Sequence, residues 1–275
     1  MNNTVKRSLS GICFLAIVLV GLLFNKFLFA ALFLFMLVGM MVEFFNMTMG
    51  KSYPVSQVVA IVTGAFLFSL AFASRAGYLP GRMISLAIVP LIVLMCLSLY
   101  APDKSEFNKF SNLYTGLVYV ALPLTLSNFI VFNREGEFSG IMMLSFFCII
   151  WASDIGAYCF GLLFGKNGKK LFPSVSPKKS WAGFWGGFLM AIAVGIILGL
   201  TGMLKFPIVH CAILAALMDI AGVYGDLFES QWKRIHDLKD SGNIIPGHGG
   251  LLDRFDSTIF AIPIGTIYLI ISGLL

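Results

Sequence analysis

The chain has 275 residues and a formal net charge of +6, with 59% hydrophobic and only 12% charged residues. Charged residues make up about a quarter of an ordinary soluble domain, so this composition, with a mean hydropathy of +0.92, excludes that class. We therefore predict an integral membrane protein.

Apolar runs of the length of a membrane span recur along the whole chain. A bilayer core about 30 Å thick requires roughly 20 apolar residues per spanning helix. Nine such runs occur, at 8–24, 27–46, 55–73, 83–100, 113–132, 140–163, 181–202, 206–229 and 257–275. The first run follows Lys6 and Arg7 like a signal peptide, but no small-residue cleavage site comes after it, so we predict a retained helix. The sequence predicts an all-α, polytopic membrane fold of about nine transmembrane helices.

We expect one membrane domain over residues 1–275. Residues 1–139 would supply helices whose role is not apparent from the sequence. Residues 140–275 would form the catalytic half, because its loops at 164–180 and 230–256 hold most of the polar residues that could carry chemistry.

The distribution of basic residues predicts the orientation, because short cytoplasmic loops are enriched in Lys and Arg. With a cytoplasmic N-terminus, 14 of the 19 basic residues fall on the cytoplasmic side, and the other side receives only Lys26, Arg75, Arg82, Arg134 and Lys205. The C-terminus then lies outside. Loops 164–180 and 230–256 would both face the cytoplasm.

The loop after the sixth run combines Lys and Ser near the predicted start of the seventh helix. Ser176, Lys178, Lys179 and Ser180 follow a stretch that Gly and Pro residues keep from being one long helix. A helix N-terminus favours oxyanions, so these residues indicate a phosphate site. The alternatives are ordinary N-capping by the serines, and a role of the basic residues in topology and anionic-lipid contact.

Carboxylates inside the apolar runs are the second candidate feature. Asp154, Asp219, Asp226 and Glu229 fall within or at the end of spans, where an ionised side chain is costly and usually marks function. Asp219 and Asp226 lie two helical turns apart and share a face, which Ser230 and Lys233 continue. The structural alternative is an interhelical pair of Asp with Lys or with Ser.

The stretch from Ser230 to Ser257 contains charges of both signs around a Gly-rich break. Its charged residues are Lys233, Arg234, Asp237, Lys239, Asp240, Asp253, Arg254 and Asp256. Pro246, Gly247, Gly249 and Gly250 surround His248 and would let backbone N–H groups approach a ligand. His248 itself is predicted to hydrogen-bond a phosphate or a carboxylate.

Asp253 and Asp256 are three residues apart at the entry to the ninth run, so a helical turn would place both carboxylates on one face. Such oxygen ligands suit Mg²⁺, which is commonly held by one or two carboxylates and substrate phosphates. Helix capping by Asp256 or Ser257 is the alternative.

Because the sequence shows no obvious motif with a nucleophile and a base, it favours phosphoryl or nucleotidyl transfer to a membrane lipid.

These residues resemble the C-terminal signature of the phosphatidate cytidylyltransferases. The matching residues are Ser230, Lys233, Arg234, Lys239, Asp240, Gly242, Pro246, His248, Gly249, Gly250, Asp253, Arg254 and Asp256. The region WASDIGAYCFGLLFGKNGKKLFPSVSPKKSWAG also resembles that family, although Ala182 stands where the family often has Glu. The N-terminal half carries no motif beyond its helices.

The resemblance implies that CTP and phosphatidic acid give CDP-diacylglycerol and pyrophosphate in phospholipid biosynthesis, through attack of the lipid phosphate on the CTP α-phosphate. It implies catalytic roles for Asp226, Lys239, Asp240, His248, Asp253, Arg254 and Asp256. Substrate binding is expected of Ser176, Lys178, Lys179, Ser230, Lys233 and Arg234. Mg²⁺ is expected on Asp226, Asp253 and Asp256, and the density of carboxylates leaves room for a second cation such as K⁺.

The expected partners are CTP, phosphatidic acid and membrane lipids, with no nucleic acid. A homodimer is compatible with the resemblance, and no spacing in the sequence bears on it. The expected location is the cell (inner or plasma) membrane, with the active site facing the cytoplasm.

Two other functions remain open from the residues. A CTP-dependent lipid or polyprenol kinase would use a similar basic, Mg²⁺-dependent site but would release CDP. A secondary transporter for an organic anion would use Asp154 and Asp219 as proton or ion relays. The absence of an internal repeat and the concentration of charge in two loops on one side argue against the transporter.

Overall fold

The computed structural model describes residues 3–100, 107–166, 168–244 and 249–275, with the backbone alone for residues 3–10. Within these ranges the α-helices are α1 (Asn3–Leu23), α2 (Lys26–Thr48), α3 (Pro54–Arg75), α4 (Ile88–Leu97), α5 (Ser111–Gly116), α6 (Leu122–Val131), α7 (Ile141–Phe164), α8 (Trp181–Leu200), α9 (Ile208–Ile235) and α10 (Leu252–Ile271). Short 3₁₀ segments occupy Gly81–Ala87, Ser98–Tyr100 and Phe107–Phe110, and a π-helical turn at Leu117–Ala121 joins α5 to α6.

Eight helical stretches of the described chain are long and apolar enough to cross a membrane. They are Lys26–Thr48, Pro54–Arg75, Gly81–Tyr100, Phe107–Val131, Ile141–Phe164, Trp181–Leu200, Ile208–Ile235 and Leu252–Ile271. Each coincides with one of the second to ninth predicted spans. The first predicted span falls on α1, in which the described side chains form the shorter apolar stretch Gly11–Leu23. The predicted all-α, polytopic membrane fold is confirmed.

The boundaries of the last two helices differ from those predicted. α9 continues to Ile235, six residues beyond the predicted end, and α10 begins at Leu252, five residues before the predicted start. Lys233 pairs with Glu229 one turn earlier, which supports the extra turn of α9. Asp253 and Asp256 therefore both lie within the first turns of α10.

The chain divides into two compact units, one of residues 1–139 and 236–254 and the other of residues 140–235 and 255–275. Residues 236–254, which form most of the second polar loop, belong with the N-terminal helices. The single membrane domain remains a prediction.

The first unit has an aromatic core on α2 and α3. Phe29, Phe33 and Phe68 are fully buried, with ring centroids 4.4 to 6.5 Å apart. Close approach of neighbouring segments depends on glycine, since a Cβ at Gly116 would lie 2.5 Å from the ring of Phe45. In lipid, such van der Waals contact stabilises helix pairs more than the removal of apolar surface from water does.

In the second unit, small residues let α7, α8 and α9 pack with their backbones in contact. A Cβ at Gly156 of α7 would lie 2.6 Å from the carbonyl oxygen of Gly186, and one at Gly187 of α8 would lie 2.9 Å from that of Ser153. Gly195 of α8 meets the carbonyl oxygen of Cys211 of α9 in the same way, at 2.8 Å. These three helices form a tight group from which the polar side chains of the site project.

A small β-hairpin lies in the loop 164–180. β1 (Lys170–Phe172) pairs antiparallel with β2 (Ser176–Ser180), with Lys170 opposite Ser180 and Phe172 opposite Ser176. The sequence predicted only that this loop is not one long helix. Because β2 ends at Ser180 and α8 begins at Trp181, the strand leads directly into the helix.

We predict that Gly156→Ala destabilises the protein by about 1–3 kcal/mol, because the added methyl group overpacks the contact with α8. Gly161→Ala, on the same helix, is the matched control, since its Cβ would have no neighbour closer than 3.8 Å. At position 161 the higher helix propensity of Ala should raise the free energy of unfolding by up to about 1 kcal/mol. Thermal unfolding in detergent measures both effects, and equal midpoints for the two variants would contradict the packing described here.

Candidate functional site

The second unit contains a cavity of about 270 Å³. Its charged lining consists of Asp154, Asp219, Asp226, Lys178 and Lys179. The rest of the wall consists of apolar side chains and glycines together with the hydroxyl-bearing residues Ser153, Tyr158, Ser180 and Ser257. Three carboxylates and two ammonium groups around one cavity form a site suited to anionic phosphates and to cations.

Three structural elements bring these charges together. Asp154 projects from α7, whereas Asp219 and Asp226 lie two turns apart on α9 and reach the same cavity, as their shared helical face predicted. Lys178 and Lys179 come from β2. The hairpin thus supplies the positive charges and the helices supply the negative ones.

Lys179 and Asp226 form an ion pair at the cavity. The Lys179 Nζ contacts Asp226 Oδ2, and the two side chains are 27% and 30% exposed. Ser230, one turn further along α9, donates its hydroxyl to Asp226 Oδ1 at 3.2 Å. Because both partners remain partly accessible, an incoming phosphate or cation can compete for them.

Asp219 lies deeper, at 2% exposure, and accepts a hydrogen bond from the Ser153 hydroxyl of α7. This is the Asp–Ser pair considered as the structural alternative. The other carboxylate oxygen, Oδ2, is buried and has no hydrogen-bond partner among the described residues. A buried carboxylate oxygen without a donor is costly, so this atom is a candidate contact for a ligand.

The two predicted serines of the hairpin take different positions. Ser180 is the N-cap of α8, and its hydroxyl accepts from the Gly183 N–H at 3.2 Å, as the capping alternative expected. Ser176 begins β2 and is half-buried. Lys178 is exposed and Lys179 half-buried, so Lys179 lies further inside the cavity.

The remaining predicted binding residues of the second unit lie at the end of α9. Lys233 donates to Glu229 Oε2 at 2.6 Å, and that carboxylate is fully buried. Arg234 is exposed on the same turn. The ammonium group of Lys233 therefore compensates a buried negative charge, whereas Arg234 faces outward.

The first unit carries the exposed side chains of Lys239, Asp240 and Arg254. Asp253 is half-buried, and its Oδ2 accepts from the backbone N–H groups of Ser241 at 2.9 Å and Gly250 at 2.8 Å. The Gly250 N–H, predicted to face a ligand, is thus bound to Asp253. His248 lies in the segment 245–248, outside the described residues.

Asp256, in the second unit, accepts a hydrogen bond from the N–H of Ser257 at 2.6 Å. Ser257 lines the cavity, so this part of α10 reaches it. In the described ranges no group of three or more His, Cys, Asp or Glu side chains is placed to hold a metal ion. Metal binding by Asp226, Asp253 and Asp256 remains a prediction.

Sequence reasoning missed two residues with defined roles in the structure. Ser153 holds Asp219, and its position next to Asp154 inside an apolar run was a usable signal. Glu43 is a carboxylate at 4% exposure inside the predicted span 27–46, and it bonds the backbone N–H groups of Leu251 and Leu252. The criterion that selected Asp219 would have selected Glu43 as well.

Three known proteins with sequences similar to this chain carry the same name. A relative from Bacillus subtilis named phosphatidate cytidylyltransferase is 33% identical over 65% of this chain and 65% of its own length. A Staphylococcus epidermidis protein of the same name is 39% identical over 59% of this chain and 62% of its own, so the chain spans slightly less than two thirds of these two relatives. A third, from Staphylococcus haemolyticus, is 31% identical over 83% of this chain and 84% of its own length.

A sequence profile of the cytidylyltransferase family matches residues 5–272, which include all the described elements from α2 to α10. The match therefore covers both compact units, including the cavity residues and the polar loop that precedes α10. The chain belongs to the cytidylyltransferase family.

Proposed function

We propose that this protein is a phosphatidate cytidylyltransferase, which converts CTP and phosphatidic acid into CDP-diacylglycerol and pyrophosphate. The observation that carries the proposal is the Lys179–Asp226 pair, which with Lys178, Asp154 and Asp219 lines one cavity of a multi-pass membrane protein. A reaction between a lipid phosphate and a nucleoside triphosphate needs such a site, because both substrates carry several negative charges. The shared name of the relatives supports the same activity.

The proposed step is an in-line displacement at the α-phosphorus of CTP. A phosphate oxygen of phosphatidic acid forms the new P–O bond, and the bond from the α-phosphorus to the bridging oxygen of the β-phosphate breaks. Pyrophosphate leaves with that electron pair. The second pKa of a phosphate monoester is about 6, so the attacking group is largely ionised at neutral pH and needs no strong general base.

Positioning and charge neutralisation are therefore what the protein must supply. Lys178 and Lys179 would bind phosphate oxygens within the cavity, since both lie on β2 at its wall. Arg234, Lys239 and Arg254 are exposed and would contact the remaining phosphates. Lys233 is not assigned to substrate in this proposal, because its ammonium group binds the buried Glu229.

Mg²⁺ is a hard cation that prefers carboxylate oxygens, which is the type of donor that the cavity offers. Asp219 Oδ2 has no donor among the described residues, and Asp154 and Asp226 line the same space. Asp226, with Asp253 and Asp256 as the sequence predicts, would hold Mg²⁺, and Asp154 and Asp219 offer oxygens for a second cation such as K⁺. When bound, Mg²⁺ would neutralise charge on the phosphate oxygens of CTP.

We also propose the cell membrane as the location, with the cavity and the loop before α10 open to the cytoplasm. The excess of basic residues on that side supports this orientation. CTP would then enter from the cytoplasm, and phosphatidic acid from the bilayer.

The proposal is tested with purified protein in detergent, phosphatidic acid, Mg²⁺ and CTP labelled at the α-phosphate. We expect the label to move into the lipid fraction as CDP-diacylglycerol, with one pyrophosphate released per lipid formed. CTP labelled at the γ-phosphate is the parallel sample, and its label should stay in the aqueous phase. Transfer of the γ-label to a lipid alcohol, with release of CDP, would instead show a kinase.

Asp226→Asn should lower kcat by roughly 100-fold or more, because it removes the charge that pairs with Lys179 and the main predicted metal ligand. The required Mg²⁺ concentration should rise in the same variant. Glu135→Gln, which removes a carboxylate from an exposed loop of the first unit, is the control and should keep the wild-type rate. An Asp226→Asn protein with wild-type kcat and Mg²⁺ dependence would exclude this role.

A further inference from the structure

Glu43 is a buried carboxylate of the first unit that no motif of the sequence singled out. It lies on α2 among fully buried apolar neighbours such as Met40, Met41 and Phe44, with 4% of its surface exposed. Placing an ionised carboxylate in such a setting is costly unless hydrogen bonds satisfy its oxygens. The hydrogen-bond partners of Glu43 therefore indicate the role of this buried carboxylate.

Among the described residues, the hydrogen-bond donors to Glu43 come from the polar loop before α10 and from the first residue of that helix. Oε1 accepts from the Leu251 N–H at 3.0 Å, and Oε2 accepts from the Leu252 N–H at 2.8 Å. The Ser241 hydroxyl also donates to Oε2, at 3.5 Å. Leu252 is the first residue of α10, so a side chain of α2 performs the capping that a residue of α10's own chain segment usually performs.

The charge of Glu43 suits this position for two reasons. The first N–H groups of a helix have no partner within the helix, and the N-terminal end of the helix dipole is positive. A carboxylate that accepts two backbone N–H bonds there makes charge-assisted bonds, which are stronger than neutral ones. The backbone of the loop thus supplies a donor to each oxygen of the Glu43 carboxylate inside the first unit.

Two glycines of the loop are required by the closeness of this carboxylate. A Cβ at Gly242 would lie 2.3 Å from Glu43 Oε1. A Cβ at Gly250 would lie 2.8 Å from Glu43 Oε2 and 2.2 Å from the Ser241 Oγ. The sequence assigned Gly250 to close approach of a ligand, but in the structure the space beside it is occupied by Glu43 and Ser241.

Asp253 binds the same loop through a second pair of backbone N–H groups. Its Oδ2 accepts from the N–H groups of Ser241 and Gly250, while Glu43 holds the Ser241 hydroxyl and the N–H of Leu251 next to Gly250. The two carboxylates therefore fix both ends of the segment 241–250. They also fix the first turn of α10, which carries Asp253 and Arg254.

We propose that Glu43 is a positioning residue for the reaction: by capping α10 and holding the loop at Ser241 and Leu251, it keeps Asp253 and Arg254 in their working positions. This inference rests on the proposed function, because it assigns those two residues to the transfer reaction. Glu43 itself touches no substrate in this proposal. Its effect passes through the backbone of the loop.

The test compares Glu43→Gln with Glu43→Asp and with Thr48→Val. Glu43→Gln keeps the shape but replaces one acceptor by an amide NH₂ that faces a backbone N–H. Glu43→Asp keeps the charge with a shorter reach, and it should recover part of the loss. Thr48→Val is the matched control, since Thr48 is also a buried polar residue of α2, and its hydroxyl donates to the carbonyl oxygen of Phe44 in the same helix.

Two measurements are made on the full-length protein in detergent. Amide hydrogen exchange in the peptide covering 249–256 should become at least tenfold faster in Glu43→Gln and stay unchanged in Thr48→Val. In the labelled-CTP assay, kcat should fall at least tenfold in Glu43→Gln while KM for CTP changes less than threefold. A loss of binding alone would raise KM instead.

The outcomes separate this inference from the function on which it rests. Unchanged exchange in Glu43→Gln would overturn the positioning role whether or not the wild type is active. Faster exchange with an unchanged kcat would also overturn it, because Glu43 would then stabilise the loop without serving the reaction. A wild-type protein that forms no CDP-diacylglycerol would overturn the proposed function and its positioning residue, and exchange would still report whether Glu43 holds the loop.

Discussion

A carboxylate inside an apolar helical structure needs a hydrogen-bond donor or a positive charge next to it. This constraint determines which side chains the buried carboxylates contact within each unit. Asp at the centre of a membrane span costs about 2.5–3.5 kcal/mol by insertion scales. The protein uses three kinds of donor against this cost. Glu43 has backbone N–H groups, Asp219 has the Ser153 hydroxyl, and Asp226 and Glu229 have Lys ammonium groups.

The kind of donor divides these carboxylates into structural and reactive ones. Backbone N–H groups cannot leave Glu43 without opening the start of α10, and Lys233 binds a carboxylate, Glu229, that is fully buried. The Lys179–Asp226 pair is partly exposed and borders a cavity, so its members can exchange partners. Buried charge in this protein is thus held fixed in one place and kept available in another.

Much of the fold could be predicted because the bilayer sets the length of an apolar run, and eight predicted spans coincide with described helices. The shared face of Asp219 and Asp226 followed from helical geometry. The hydrogen-bond partner of Asp219 could not be predicted in this way, since an interhelical pair with Ser or with Lys fitted the sequence equally well. Strands of three and five residues are too short to show an alternating pattern, and the second consists only of Lys, Ser and Pro, so the hairpin was missed. The contact of Glu43 with Leu251 joins residues 208 apart, which no local pattern can reveal.

The direct junction of β2 and α8 at Ser180 has a consequence for how ligands arrive and leave. Ordering a flexible residue costs about 1–2 kcal/mol in backbone entropy, and lysines on a mobile loop would incur that cost whenever they closed on a phosphate. Lys178 and Lys179 stand on a strand that is already paired with β1 and continues into a capped helix. Association at these lysines therefore needs no prior folding of the hairpin, and the lifetime of the bound state depends on the ionic contacts that must break.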